Sequence, residues 1–207
     1  MKEKEQILKL REELNEHNHS YYVLDKPTIT DFEFDVKLKR LQALEANYPQ
    51  LFDSSSPTQR VGGEVTKNFQ TIKHAQRMYS LDNSYSKEDL MDWEVRLRKM
   101  VDGPIEFTCE LKYDGASISL TYENGVLVQA LTRGDGTQGD NVTANIKTIK
   151  SVPLKLEGNY PSKFEIRGEI VLPFAGFKAL NQEKIAAGEE PYKNPRNTAS
   201  GSLKLQH

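Results

Sequence analysis

The 207-residue chain carries 28 Lys and Arg against 30 Asp and Glu, a net charge of −2, with 37% hydrophobic and 28% charged residues. That balance fits a polar-surfaced globular protein, one large domain or a small one joined to a medium one, and argues against a chain that holds DNA mainly by neutralising phosphates. No run of 18 apolar residues exists, the charged residues 1–6 lead into no apolar h-region, and a lone Cys109 rules out internal disulfides and a cysteine-built zinc site. A reducing cytoplasm and no membrane partner are the expectation.

Residues 3–23 read as a helix, because Ile7, Leu10, Leu14 and Tyr21 recur at helical spacing among Glu, Lys and Arg. After a turn at Asp25-Lys26-Pro27-Thr28, Thr30 followed by Glu33 is a capping-box pattern that opens a second helix with Phe34, Leu38, Leu41 and Tyr48 on its apolar stripe. Two helices on a short loop make an antiparallel hairpin. Residues 49–63, rich in Ser, Pro and Gly, read as the linker, so a helical module over 1–62 is expected to precede a second domain over 63–207. Ser86 with Asp89 starts a further helix that would turn Leu90, Trp93 and Leu97 inward. Residues 105–111 alternate apolar and polar side chains, the period of a strand, and a second alternating run reaches Asn124-Gly125, a hairpin signal. Residues 142–150 and 174–187 read as helices and 164–171 as a strand, while Asn194-Pro195-Arg196-Asn197 reads as loop chemistry. The fold class is therefore α+β with mainly antiparallel sheets, and the series of strands looks cut short after Asn194.

The chemistry concentrates around Lys112. It stands where the predicted 105–111 strand runs into a turn bearing Asp114-Gly115, with Glu110 two residues back and thus on the same strand face. Such a lysine is either solvated or, if partly desolvated or flanked by cations, a nucleophile. Gly134, Gly136 and Gly139 lie within six residues and describe either a long hairpin turn or a phosphate cradle; the intruding Arg133, Asp135 and Asp140 make this no dinucleotide fingerprint. Arg133, Arg167 and Glu169 sit near strand ends, and Arg196 either grips a phosphate with two donors or caps a helix. Asp31 and Asp35 are i, i+4 on the second helix beside Phe34. The two carboxylates repel by a few tenths of a kcal/mol, about what an ordinary solvated acidic face tolerates and what a bound cationic ring would relieve.

Taken in order, Ser80-Leu81-Asp82-Asn83, Cys109-Glu110-Leu111-Lys112-Tyr113-Asp114-Gly115, Thr132-Arg133-Gly134-Asp135-Gly136, Arg167-Gly168-Glu169 and Asn194-Pro195-Arg196-Asn197, with Pro57-Thr58-Gln59-Arg60-Val61-Gly62 between the modules, resemble the bacterial NAD+-dependent DNA ligases over nearly the whole chain. The resemblance implies that a helical module holds the nicotinamide mononucleotide (NMN) half of NAD+ and a nucleotidyltransferase domain the AMP half. Lys112 matches the nucleophile that becomes lysyl-AMP and expels NMN. Glu110, Ser80 and Leu81 match adenine-side positions, Arg133 and Glu169 ribose-side contacts, Arg196 and Lys204 phosphate-side contacts, and Asp114 and Gly115 the rest of the nucleophile motif. Tyr21, Tyr22, Asp31, Phe34 and Asp35 match the positions that grip NMN. Phe34 replaces the usual tyrosine and keeps stacking without a phenolic hydrogen bond. Lys204 replaces a common arginine, and Tyr22 a histidine found in some members. The resemblance also implies Mg2+, bound partly through the pyrophosphate with no protein ligands assigned, and nicked duplex DNA as substrate of a longer enzyme. Zinc belongs to a carboxy-terminal part outside these residues. This piece is expected to bind DNA weakly and not to seal nicks, and His207 is out of pattern. The alternatives are a non-catalytic NAD+- or NMN-binding fragment, an interaction module, and an ATP-using nucleotidyltransferase, which shares Lys-x-Asp-Gly but has no evident use for the 21–35 module.

Overall fold

A computed structural model describes residues 2–22, 24, 26, 28–60 and 69–205, apart from the side chains of Lys2, Tyr22 and Asp31. Of the expected features, residues 61–63 of the linker, His207 and the side-chain roles of Tyr22 and Asp31 lie outside it.

Helix α1 (Lys2–Tyr22) and helix α2 (Asp31–Asn47) form the expected hairpin. Thr30 begins α2 with a complete capping box: its hydroxyl accepts the Glu33 N–H while the Glu33 carboxylate accepts the Thr30 N–H. Ile7, Leu10, Leu14 and Leu41 are buried between the helices, with Phe34, Leu38, Leu44 and Tyr48 against them. Beside this core Arg11 is also buried, held by the Glu45 carboxylate and the Leu51 carbonyl. Glu45 accepts the Ser56 hydroxyl as well, fastening the following loop to the module. That loop contains two short 3₁₀ turns, Pro49–Leu51 and Pro57–Arg60.

The second part is built on a three-stranded antiparallel sheet with β2 (Ala116–Glu123) between β3 (Val126–Thr132) and β5 (Lys163–Ile170). Asn124 and Gly125 both take positive φ, 49° and 78°, so β2 and β3 are joined by the primed type of turn that their sequence signals. A smaller sheet pairs β1 (Thr71–Lys73) with β4 (Gln138–Asp140). Even-numbered residues of β2 face the core: Ile118 and Tyr122 are buried with Leu127, Ala130, Val142, Ile146, Leu154 and Leu203. Odd-numbered Ser117, Ser119 and Thr121 face the other way, in register with Glu169, Arg167 and Glu165 of β5. Helix α4 (Thr143–Lys147), shorter than the 142–150 expected, supplies Ile146 to the core, and helix α5 (Phe174–Ala186) follows β5.

Three expectations are corrected. Residues 101–115 hold no regular structure and, except Ile105 and Gly115, are exposed. A strand is stable only when its N–H and C=O groups find a neighbouring strand, and among the described residues 105–111 finds none; the argument that put Glu110 and Lys112 on one strand face lapses with it. Helix α3 (Lys87–Arg98) does form, with its Ser86–Asp89 capping box, but buries no residue: Leu90 is 52% and Trp93 41% exposed, and Trp93 instead leans on Phe107 at 5.2 Å. The stretch expected to be loop from Asn194 is helix α6 (Pro195–Ser202), where Asn194 caps by accepting the Asn197 N–H and Pro195 occupies the first turn. Pro at that position costs nothing because its missing N–H would have had no helical partner.

Candidate functional site

The register of the three-stranded sheet assembles the site. Ser117 lies opposite Glu169 on one side, and Ile118 opposite Thr132 on the other, so the start of β2, the end of β3 and the end of β5 meet at one edge. Arg133 follows β3 there, and the 112–115 turn enters β2 there. Glu169 ties these pieces together: Oε1 accepts the Gly115 N–H at 3.2 Å and Oε2 the Ser117 hydroxyl at 2.8 Å. Gly115 is dictated by this closeness, since a Cβ at that position would lie 2.2 Å from the Ile170 carbonyl oxygen.

Two more expected residues join the cluster. The Arg196 guanidinium, carried on the first turn of α6, donates to Asp114 Oδ1 at 3.1 Å, and Arg133 donates to the Ser80 hydroxyl at 3.2 Å. Asp114 with Arg196, and Gly115 with Glu169, thus directly follow Lys112 along the chain, while Arg133 and Ser80 form a separate pair at the end of β3. Lys112 itself is exposed and makes no ion pair among the described residues. Glu110 is exposed and Leu81 is 77% exposed, so neither is held in a wall. Arg196 and Lys204, the expected phosphate-side cations, are each paired with a carboxylate: Arg196 with Asp114, and Lys204 with Asp140 at 2.7 Å.

The glycine-rich stretch resolves as a turn. Asp135 Oδ1 accepts the N–H groups of Thr137 (2.8 Å) and Gln138 (2.9 Å), and Gly136 N–H donates to the Arg133 carbonyl. Donors that a phosphate cradle would need are already used inside the turn. The N–H groups of Gln138 and Thr137 also hold the Asp135 carboxyl below the usual aspartate range. Gly136 takes φ 89°, and its carbonyl receives the Met78 N–H at 2.9 Å.

In the helical module Tyr21 is 44% exposed and Asp35 is exposed. Phe34 is more engaged than expected, packed on the helical core with the Lys150 ammonium 5.9 Å from its ring centroid. Among the described residues no hydrogen bond or ion pair joins Phe34 or Asp35 to the 112–115 turn. Nor do three or more His, Cys, Asp or Glu side chains gather as a metal site among those residues.

Sequence reasoning missed Ser117, Asp140 and His74, which the fold brings against Glu169, Lys204 and Arg133. Strand register could have found Ser117, as the polar residue following Gly115 on the face opposite the apolar alternation. Nothing local pointed to His74.

Residues 66–207 match the NAD-dependent DNA ligase adenylation domain, and residues 1–62 match the DNA ligase-like, N-terminal NAD+-binding domain. The chain is 70% identical over 203 residues, 98% of its length, to proteins named DNA ligase from Flavobacterium psychrophilum and Flavobacterium johnsoniae. It is 67% identical over 206 residues to one from Christiangramia forsetii. The chain spans about 30% of the length of these curated relatives. It belongs to the family of NAD-dependent DNA ligases, as their N-terminal NAD+-binding and adenylation domains.

Proposed function

We propose that this chain transfers AMP from NAD+ to Lys112, as the first step by which a longer enzyme seals nicked DNA. The observation that carries the reading is the sheet edge at which Glu169 binds Gly115 and Ser117, just after Lys112, with Arg196 on Asp114 and Arg133 following the end of β3. In this reading the helical module, ending near residue 62, holds the NMN half through Tyr21, Tyr22, Asp31, Phe34 and Asp35. Glu169 and Arg133 orient the ribose of the AMP half, and Ser80, Leu81 and Glu110 border its base. The neutral Lys112 amine attacks the α-phosphorus: an N–P bond forms, the P–O bond of the pyrophosphate breaks, NMN leaves with the electron pair on its phosphate oxygen, and the amine loses a proton to solvent. Most of the rate comes from alignment and charge neutralisation, as in other phosphoryl-type transfers. Arg196 and Lys204 supply that neutralisation by exchanging Asp114 and Asp140 for phosphate oxygens. Mg2+ would add Lewis-acid charge at the pyrophosphate.

A second reading, NAD+ or NMN binding without transfer, is favoured by the exposure of Lys112 and the prior engagement of both cations. Intact mass after incubation with NAD+ and Mg2+ separates them. An added AMP that is absent in Lys112→Ala supports transfer. Saturable NAD+ binding without an adduct, lost in Asp35→Ala, supports the binder. An adduct from ATP would overturn the choice of donor. Nick sealing, contact with DNA and a cytoplasmic setting belong to the longer enzyme in this proposal.

A further inference from the structure

We infer that His74 is a positioning residue for the nucleotide site, acting through Arg133; this rests on the ribose-side role proposed for Arg133. His74 follows β1 and is buried, 6% exposed, beneath the turn that carries Arg133. Its Nε2 lies 3.0 Å from the Arg133 carbonyl oxygen. A carbonyl only accepts, so Nε2 carries the proton, and Nδ1 is the bare nitrogen of the ring. Nδ1 is buried and makes no hydrogen bond among the described residues. The side chain therefore spends its single donor on the backbone of Arg133 and has no second polar partner to hold it elsewhere.

The surroundings show why that bond matters. His74 N–H donates to the Thr137 carbonyl, Met78 N–H to the Gly136 carbonyl, and Arg167 donates to the Gln76 carbonyl at 2.7 Å. The stretch 74–80 is thus sewn to the 133–139 turn and to β5, and it ends on Ser80, whose hydroxyl receives the Arg133 guanidinium. Arg133 is gripped at both ends, its carbonyl by His74 and its guanidinium by Ser80. Gly139 leaves the room required: a Cβ there would lie 3.2 Å from His74 Nε2 and 1.7 Å from the Thr132 carbonyl oxygen. Without the ring, the Arg133 carbonyl keeps only the Gly136 N–H, and the guanidinium is aimed from a looser base.

NAD+ titration of Lys112→Ala chains, in which no transfer consumes the ligand, provides the test. His74→Ala is expected to weaken NAD+ binding roughly five- to fifty-fold, the range of a lost hydrogen bond amplified by misplacement. His74→Gln, whose amide N–H can reach the same carbonyl, should restore most of it. In an Arg133→Ala background His74→Ala should cost nothing further. An equal loss in that background, or no rescue by Gln, overturns the proposal. Should His74→Ala not fold, the ring nitrogens of the otherwise unmodified Lys112→Ala chain decide by NMR: a ring protonated on Nδ1 refutes it, and one protonated on Nε2 and perturbed by Arg133→Ala upholds it. If the Lys112→Ala chain binds no NAD+ at all, the proposed function fails. The ring tautomer and the coupling of His74 to Arg133 in thermal stability would still be read independently, and absence of coupling there would sink the positioning role.

Discussion

Glu169 offers the sharpest separation between holding the fold and holding the substrate. Its two oxygens accept from the Gly115 N–H and the Ser117 hydroxyl, and Gly115 is buried, so Glu169→Ala strands a backbone donor as well as removing two bonds. Hydrogen bonds to a charged acceptor contribute about 1.5–3 kcal/mol when buried; the carboxylate here is only partly buried, which brings each to about 1 kcal/mol. The expected loss for Ala is therefore about 2 kcal/mol, or a fall in melting temperature of about 4–8 °C for a chain of this size. Glu169→Gln is different. Its amide oxygen can still accept from Gly115, and the Ser117 hydroxyl can turn to accept from the amide nitrogen, so stability should change by less than about 0.5 kcal/mol. A ribose hydroxyl that needs a charged acceptor loses it in both variants, so lysyl-AMP formation should fall about tenfold or more in each. Thermal unfolding together with intact-mass kinetics on the two variants is the assay. Equal destabilisation by Gln and Ala, or an undiminished rate in Gln, would refute this separation of the fold from substrate binding.

Arg60 donates to the carbonyls of Ile149 and Val152 at 3.0 Å each and, more weakly, to that of Lys147, joining the turn that closes the helical module to the end of α4. Arg60→Ala should cost about 2 kcal/mol and speed amide exchange over 54–60, read by hydrogen-exchange mass spectrometry. Gly115→Ala places a methyl 2.2 Å from the Ile170 carbonyl oxygen and should destabilise by about 1–3 kcal/mol while abolishing transfer, as measured by urea unfolding and mass. Asp114→Asn, by contrast, weakens an ion pair whose partners are 55% and 70% exposed, so urea unfolding should show a change below about 1 kcal/mol. Burial pushes the Tyr122 hydroxyl up to about 12 while it donates to the Pro153 carbonyl. Its proton is retained in the folded chain after the unfolded chain has lost it, so stability should fall between pH 10 and about 12 by up to about 2–3 kcal/mol more than in Tyr122→Phe. Parallel alkaline curves for the two proteins would contradict this.

The parts of the fold legible in the sequence are those whose cause is local. The Thr30–Glu33 and Ser86–Asp89 boxes mark helix starts because the cap and its partner lie three residues apart, and Asn124-Gly125 marks the hairpin because both residues tolerate positive φ. The failures have non-local causes. Residues 105–111 alternate as a strand does, yet alternation supplies only the side chains of a strand and not a neighbour for its backbone. Helix α3 carries Leu90 and Trp93 at helical spacing, yet spacing does not provide the surface that would cover them. At Asn194-Pro195 the reverse occurred. Loop residue types were read as a loop, when Asn before Pro is also how a helix begins.

The site divides along the same line. Residue types along the chain picked out Lys112, Asp114, Arg133, Glu169 and Arg196, but how they meet depends on register: Ser117 opposite Glu169, and Thr132 opposite Ile118, is what brings residues up to 52 positions apart to one edge. The pairing of charges was less legible still. Arg196 and Lys204 look like free cations in the sequence, whereas in the fold each faces a carboxylate 82 or 64 residues away. That arrangement has a physical logic. An exposed ion pair costs little to open, so a guanidinium parked on Asp114 is held near Lys112 without being locked there, and a ligand phosphate with more charge displaces the carboxylate at small cost. Charge that must move during a reaction is better stored in weak exposed pairs than in buried ones, whose separation costs several kcal/mol. The Arg196–Asp114 pair beside the lysine is of the weak kind, which is why its presence is compatible with a site that binds anions.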